Sequence, residues 1–166
     1  MVIFNIRPIS ELDVPFFWDM LYECIYVPSE QVRPSRDILK NPEIAKYVQD
    51  WGRAGDEGFL AISTNSQQPI GAAWYRLFKA DNKAYGYVDD ETPELSIAVA
   101  PQYRGKGIGH SLMFHLLEQA KLSCFYQISL SVDPDNPATH WYEKLGFEKV
   151  GVSGTSWIMK LKLSGC

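Results

Sequence analysis

Hydrophobic and polar positions follow two different periods in the middle of the chain, one after the other. Between residues 94 and 99, Leu95, Ile97 and Val99 alternate with small or polar side chains, which predicts a strand with two different faces. From residue 112 onward the apolar positions recur at helical spacing, which predicts a helix packed on a sheet. That apolar stripe consists of Leu112, Met113, Leu116, Leu117 and Ala120.

The rest of the pattern predicts strands and helices along the whole chain. Apolar runs predict strands at 2–6, 58–63, 69–78, 127–132, 147–152 and 156–163. Apolar residues at helical spacing predict helices at about 12–26, at 42–51 after the cap Asn41, and at 137–145 before Gly146. No internal repeat or linker divides the 166 residues, so we predict a single domain, 1–166.

Charge and apolar runs argue against several classes of protein. A formal net charge of −4 does not suit a nucleic-acid binder that relies on neutralising phosphates. The first residues lack the apolar core of a secretory signal, and no run of about 18 apolar residues occurs. We therefore predict a cytoplasmic protein with no nucleic-acid partner and no membrane span.

The three cysteines, Cys24, Cys124 and Cys166, are far apart and lack the C-x-x-C spacing of zinc sites. This pattern suits a reducing compartment, and we expect Cys24 and Cys124 to be small residues of the core. The three histidines have no ligand spacing with a carboxylate or thiolate, so no metal site is predicted.

Three glycines, Gly105, Gly107 and Gly109, separate the predicted strand at 94–99 from the predicted helix that follows. A sharp turn into a helix leaves backbone N–H groups unpaired at the positive end of the helix dipole, where an anion binds well. Arg104 and Lys106 add positive charge there. The bend is therefore predicted to hold a phosphate group.

Two common phosphate-binding motifs fit this bend poorly. A P-loop requires lysine directly after its last glycine, and Ile108 follows Gly107 here. A dinucleotide-binding βαβ unit would place His110 where a small residue is needed, although Asp133 lies near the position of its ribose-binding acid. Too few residues follow for a doubly wound sheet, so this alternative is disfavoured.

Two motifs resemble those of the GNAT acetyltransferase superfamily. The string RGKGIG matches [Q/R]-x-x-G-x-[G/A] through Arg104, Gly107 and Gly109, and DNPATHWYEKLGF resembles the second signature through Asn136, Tyr142, Gly146 and Phe147. The predicted element order is also similar to that family's. The resemblance implies a single α/β (α+β) domain in which a mixed, mostly antiparallel sheet of six to seven strands has helices on both faces and a splayed central parallel pair.

The resemblance also implies acetyl-coenzyme A as the cosubstrate. Its diphosphate would lie on the bend, its pantetheine arm would pair with the strand at 97–99, and Asn136 would approach from the other side. The alternative role for Asn136 is a helix cap alone. The implied coenzyme-binding residues are Ile97, Ala98, Val99, Tyr103, Arg104, Gly105, Lys106, Gly107, Ile108, Gly109, His110, Asn136 and Tyr142.

Transfer of an acyl group from a thioester to an amine requires a base for the ammonium and an acid for the departing thiolate. By resemblance Tyr142 is the candidate acid, and the alternative is that its ring only fills the core. Glu94 is the candidate base, and the alternatives are a solvated strand end or proton loss to bulk water. His110 is more suited to contact phosphate or solvent.

The sequence thus predicts an N-acetyltransferase that acts on a primary amine of a small molecule. A peptide or protein acceptor, through an N-terminus or a lysine, remains an alternative, as does a non-catalytic acyl-coenzyme A sensor. The acidic loop 89–91 faces either a cationic acceptor or only solvent. The aromatic residues between 18 and 51 form either an acceptor wall or core. A homodimer is plausible.

Overall fold

The computed structural model of the chain describes residues 2–164 and residue 166. The strands are β1 (Phe4–Pro8), β2 (Glu57–Ser63), β3 (Pro69–Arg76), β4 (Glu94–Val99), β5 (Gln127–Val132), β6 (Glu148–Ser153) and β7 (Ser156–Lys162). The α-helices are α1 (Val14–Glu23), α2 (Pro42–Ala45), α3 (Ile108–Leu122) and α4 (Ala138–Leu145). Each predicted strand has a counterpart in the structure, and so does each predicted helix, but the helix predicted at 42–51 is reduced to four residues and some ends of other elements shift.

The strands form a mixed sheet in the order β1-β2-β3-β4-β5-β7-β6. All neighbours are antiparallel except the central pair, β4 and β5, which run parallel. This pair is in register only at Glu94 and Ser129, so the two strands separate along the rest of β4. The predicted fold class is confirmed, including the splayed central pair.

Helices cover both faces of the sheet. On one face, Leu112, Met113 and Leu116 of α3 are buried against the strands, as the apolar stripe predicts. On the other face, Phe17 of α1 stacks on Trp74 of β3 with ring centroids 4.6 Å apart. Because alternate residues of β4 point to opposite faces, Glu94 lies on the α1 side of the sheet and Leu95 on the α3 side.

The second predicted helix is much shorter than its apolar pattern suggests. Asn41 caps α2 as expected, with its side-chain oxygen accepting from the Glu43 N–H at 3.0 Å, but the α-helix ends at Ala45. The carbonyl groups of the following turn accept hydrogen bonds from the buried Arg76 guanidinium instead of continuing the helix. The prediction of a helix over 42–51 is wrong for this reason, although the turn does end near Gly52.

The ends of two other elements also differ from the prediction. The first helix ends at Glu23 rather than near Tyr26. The first strand runs over residues 4–8 rather than 2–6, in register with β2. It includes Pro8, which an edge strand tolerates because one side of it makes no ladder hydrogen bonds.

The expectation that Cys124 is a core residue is wrong. Cys124 is exposed, has a positive φ of 64°, and forms a disulfide with Cys166. The pairing of β7 with β5 brings these positions together, because Leu163 N donates to Tyr126 O at 2.8 Å just beyond the two strands. The cysteine pattern therefore gives no argument for a reducing compartment.

Candidate active site

The separation of β4 and β5 opens a cleft of about 1280 Å³. Both predicted catalytic residues, Glu94 and Tyr142, line this cleft, and so does Asn136. Lys106 is the one predicted coenzyme-binding residue that does not line it. The others around the bend that do are Ile97, Ala98, Val99, Tyr103, Arg104, Gly105, Gly107, Ile108, Gly109 and His110.

Two of the three glycines adopt backbone conformations that other residues avoid. Gly105 and Gly107 have φ angles of 75° and 84°, in the left-handed region. A Cβ added at either position would meet no atom within 4 Å, so the space beside both is open to a ligand. Gly109 lies within α3 and has no positive φ, so it is not needed for the turn.

The bend leaves a set of backbone donors free. Within residues 2–164, no backbone N–H from Gly105 to His110 donates a hydrogen bond to another residue. Residues 108–110 form the first turn of the 15-residue helix α3, whose dipole places partial positive charge at this end. An anion the size of a phosphate fits such a set of donors.

The edge of β4 that faces the gap is defined by strand alternation. Ala100 N donates to Ile70 O at 2.8 Å, so the backbone groups of Ala98 also face β3. Those of Ile97 and Val99 consequently face the gap between β4 and β5. An extended ligand can therefore pair with Ile97 and Val99, whereas Ala98 offers the cleft only its side chain.

Two side chains donate hydrogen bonds to carbonyl groups on this open edge. The Cys24 thiol donates to Ile97 O at 3.5 Å, and the Arg104 Nε donates to Val99 O at 3.0 Å. Arg104 also pairs with Glu23 at the end of α1, with 3.2 Å between nitrogen and oxygen. The Arg104 side chain thus connects the bend to α1, and it takes one of the two acceptor positions of Val99 O, so the other is open to a ligand.

Residues of α3 and α4 meet beside the bend. Trp141 Nε1 donates to Nδ1 of His110 at 3.2 Å, so this histidine contacts a neighbouring side chain as well as solvent. Asn136 caps α4, because its side-chain oxygen accepts from Ala138 N at 2.9 Å. The same residue lines the cleft, so the capping contact is observed and a contact with coenzyme remains a prediction.

Tyr142 packs against neighbouring aromatic rings and also lines the cleft. Its ring lies edge-on to Phe147, with centroids 5.9 Å apart, and tilted against Trp141 at 5.2 Å. Burial, followed by the nearby Cys24 thiol, raises the pKa of the Tyr142 phenol above its ordinary value. The phenol is therefore protonated at neutral pH, which a general acid must be.

Glu94 is almost completely buried, with 2% of its surface exposed, so the alternative of a solvated strand end is wrong. Each carboxylate oxygen accepts one hydrogen bond. Tyr47 OH donates to Oε2 at 2.5 Å, and Gly86 N donates to Oε1 at 2.9 Å. Glu94 also lines the cleft, so a substrate or a water can reach it from that side.

The environment of Glu94 changes its proton affinity. Burial is the largest effect and raises the pKa of the Glu94 carboxyl to about 7, while the bonds from Tyr47 and Gly86 and the charge of Lys46 oppose that rise. A carboxylate with this pKa is partly ionised at neutral pH. It can therefore accept a proton and release it again at physiological pH.

Sequence reasoning missed three residues of this site: Tyr47, Gly86 and Cys24. Tyr47 lies in the turn after α2, and nothing in its neighbouring residues distinguishes it from the other tyrosines of the chain. Gly86 is required because a Cβ there would lie 2.7 Å from Cδ of Glu94 and 2.8 Å from the backbone of Leu130. Its φ is not positive, so only the glycine itself, between two tyrosines, could have indicated a close approach.

The acidic loop 89–91 does not line the cleft. Asp89 and Asp90 instead accept hydrogen bonds within their own surroundings, from Glu91 N and Ala80 N. The alternative of a solvated loop is therefore the better one. Of the aromatic residues between 18 and 51, Tyr26 and Tyr47 line the cleft, whereas the others belong to the core on the α1 side or its margin.

The part of the chain that the structure describes contains neither a cluster of metal ligands nor a helix suited to span a membrane. Over 2–164 and 166, no three side chains of the metal-ligating types His, Cys, Asp and Glu come close enough together to hold an ion. None of the helices in the same range has the length and apolar character that a membrane span needs.

The chain is similar to known acetyltransferases in sequence and in fold. It is 28% identical over 117 residues to the L-2,4-diaminobutyric acid acetyltransferase of Nocardia farcinica, covering 61% of this chain and 59% of that protein. It is 33% identical over 112 residues to the glucosamine 6-phosphate N-acetyltransferase of Trypanosoma brucei brucei, covering 66% of this chain and 71% of that protein. The chain thus spans less than two thirds of the first of these relatives.

A solved acetyltransferase structure has a similar fold. The PaiA N-acetyltransferase of Thermoplasma acidophilum, in complex with coenzyme A, has a TM-score of 0.68 and 19% identity, over 96% of this chain and 99% of that one. The profile of the acetyltransferase (GNAT) family matches residues 18–147, which include both catalytic candidates and the glycine bend. The chain therefore belongs to the acetyltransferase (GNAT) family.

Proposed function

We propose that the protein transfers an acetyl group from acetyl-coenzyme A to the primary amine of a small molecule. The supporting observation is that one cleft is lined both by Gly105 and residues 107–110, whose backbone N–H groups are free, and by the buried carboxylate of Glu94. The first group suits a diphosphate, and the second suits a base that accepts a proton from an ammonium.

The residues of the bend fit the coenzyme. The free N–H groups of 105–110 would hold its diphosphate, and the backbone of Ile97 and Val99 would pair with its extended arm. When bound, the coenzyme supplies the acyl group as an activated thioester. Transfer can be direct, because burial raises the pKa of the Cys24 thiol to about 12 and keeps this residue protonated and unreactive.

A small acceptor is favoured by the walls of the cleft beyond Glu94. The connection between α1 and α2, together with α2 and its following turn, contributes Val27, Arg33, Ile44 and Tyr47 to the lining, and Tyr85 contributes from the loop before β4. Apolar and aromatic walls with a few polar groups are typical of small-molecule sites. A buried carboxylate among them suits a compact amine.

The test of coenzyme binding is titration calorimetry of the purified protein with coenzyme A and with acetyl-coenzyme A. We expect saturable binding, weakened about tenfold or more in Gly107→Val, because the added side chain enters the open space of the bend and strains a positive φ. Gly154→Val is the matched control, since Gly154 also has a positive φ and open surroundings but lies in the turn between β6 and β7.

Absence of binding to the wild-type protein would refute the proposal. Equal weakening in both variants would mean that the effect is one of stability and not of the bend. If coenzyme binds, release of its thiol over a panel of amines and peptides distinguishes an enzyme from a sensor. Turnover with small amines supports the proposal, and turnover with peptides alone contradicts it.

We expect Tyr142→Phe to keep coenzyme binding within twofold and to lower kcat about tenfold, because an acid assists departure of a thiolate whose own pKa is only moderate. The ring packing against Trp141 and Phe147 is kept in this variant. Steady-state kinetics and calorimetry on the same preparation provide the measurement. An unchanged kcat would remove Tyr142 from the mechanism.

A further inference from the structure

Tyr47 connects the candidate base to a rigid part of the fold. Its hydroxyl oxygen accepts a hydrogen bond from Tyr85 N at 3.0 Å, and its single proton is donated to Oε2 of Glu94. The tyrosine is buried, and no pattern in the sequence marks it as functional. We propose that Tyr47 is a positioning residue that fixes the Glu94 carboxylate for catalysis and stabilises its ionised form; this inference rests on the proposed function.

The donor role of Tyr47 follows from the geometry. A phenol has one proton, and the Tyr85 N–H already occupies one acceptor position of its oxygen. The proton on the Tyr47 hydroxyl therefore points to Glu94. Gly86 N donates to the other carboxylate oxygen, so Glu94 is held at both oxygens. A carboxylate has about four acceptor positions in all, so others remain for a proton or a water.

Arg76 holds Tyr47 in this place. Its guanidinium donates to the carbonyl oxygens of Lys46, Gln49 and Asp50, which surround Tyr47 in the chain, at 2.6 to 3.2 Å. The same group forms a two-pronged ion pair with Asp56 at 3.0 Å, and its side chain is 1% exposed. Trp74 Nε1 also donates to Tyr47 O at 3.0 Å. The turn that carries Tyr47 is thus held against β3 by hydrogen bonds from two β3 side chains.

The other groups around Glu94 do not replace Tyr47. From β3, Arg76 is in register with Glu94, but its guanidinium is bound by Asp56 and by backbone carbonyls. The Lys46 ammonium is held by Asn82, by Lys83 O and by Glu43, and acts on Glu94 only through its charge. From β5, Ser129 donates to Gly86 O, and the Ser131 hydroxyl also lowers the pKa of Glu94, but less than Tyr47 does. Tyr85 contributes its backbone N–H.

The test is the variant Tyr47→Phe, which removes the hydroxyl and keeps the ring against Phe78. Loss of a hydrogen bond to the ionised form favours protonation, so we expect the pKa of Glu94 to rise by about one unit. The acidic limb of the kcat/KM profile should shift upward by the same amount, with the plateau at high pH changed less than about threefold. A residue with only a structural role would lower the whole profile without moving its midpoint.

A second readout does not depend on activity. Carbon-13 NMR of side-chain-labelled glutamate reports the titration of Glu94 directly, with its signal assigned by its loss in Glu94→Gln. If the protein transfers no acyl group to any amine, the proposed function fails, and the NMR titration still decides the role of Tyr47. An unmoved titration midpoint in Tyr47→Phe overturns the inference.

The matched control is Tyr75→Phe. Tyr75 is a fully buried tyrosine of β3 whose hydroxyl has no hydrogen-bond partner among the described residues, and it does not line the cleft. This variant should leave both titrations unchanged.

If Tyr47→Phe does not fold, a ring-fluorinated tyrosine at position 47 keeps the hydroxyl and donates more strongly. That substitution should move the midpoint downward, and an upward or absent shift again overturns the inference.

Discussion

We expect Glu94→Gln to lower kcat/KM for an amine acceptor by about a hundredfold to a thousandfold, within the range of about 10² to 10⁴ that a positioned acid or base contributes. An alkyl ammonium has a pKa near 10.4 and must lose its proton before the nitrogen can attack a thioester. Glu94 is buried beside the cleft with a pKa of about 7, so it is ionised often enough at neutral pH to accept that proton. Glutamine occupies a similar volume but cannot accept a proton.

The pH profile provides the sharper part of this prediction. In the wild type, kcat/KM should rise about tenfold per pH unit until Glu94 is ionised near pH 7 and then level off. In Glu94→Gln this limb should be absent, while coenzyme binding measured by calorimetry stays within about twofold, because the bend lies at the other end of β4. The measurement is release of the coenzyme thiol from pH 5.5 to 9.

Glu91→Gln is the control for this substitution. It makes the same chemical change three residues away, on an exposed side chain that does not line the cleft. We expect wild-type kinetics from it. If Glu94→Gln retains the wild-type rate and the wild-type limb, bulk water takes the proton and Glu94 has only a structural role.

The parts of the fold that the sequence predicts well depend on residues close together in the chain. The fifth strand has the predicted bounds, 127 and 132, because its alternating serines and aliphatic residues suit opposite faces of a sheet. The helix α4 ends at Leu145, just before Gly146, whose φ of 105° only glycine adopts at little cost. The glycine bend is equally local, since its function depends on backbone groups within a few residues.

The surroundings of Glu94 could not be predicted in this way. Its partner Tyr47 is separated from it by 47 residues, and the two meet only because the turn after α2 packs over the start of β4. That turn exists because Arg76, on a different strand, takes carbonyl groups that a longer helix would have used. The same reasoning applies to Cys124 and Cys166, which are 42 residues apart and adjacent only through the pairing of β5 with β7.

The burial of Glu94 also has a consequence for stability, and the difference between wild type and Glu94→Gln should reveal it. The pKa of Glu94 is about 7 in the folded protein and 4.5 without the protein environment, because burial disfavours the charge. Between these two values the folded state binds more protons than the unfolded state. The free energy of unfolding therefore falls as the pH rises through this window. Above the window, the effect of Glu94 on the free energy of unfolding stays constant.

The expected size follows from the shift. One pKa unit corresponds to about 1.4 kcal/mol, so Glu94 should lower the free energy of unfolding by about 2 to 3 kcal/mol between pH 5 and pH 8. Glu94→Gln loses one hydrogen bond, because an amide cannot accept from both Tyr47 OH and Gly86 N as a carboxylate does. The variant can therefore be less stable than the wild type at pH 5, and only the change with pH isolates the charge.

Urea denaturation followed by tryptophan fluorescence at several pH values from 5 to 8 gives the two curves. The wild-type curve should fall relative to the curve of Glu94→Gln by about 2 to 3 kcal/mol over this range. The histidines and the other carboxylates are the same in both proteins, so their contributions cancel in the difference. Parallel curves would mean that the Glu94 carboxyl has an ordinary pKa in the folded protein, and the argument for it as a base near neutral pH would then lose its physical basis.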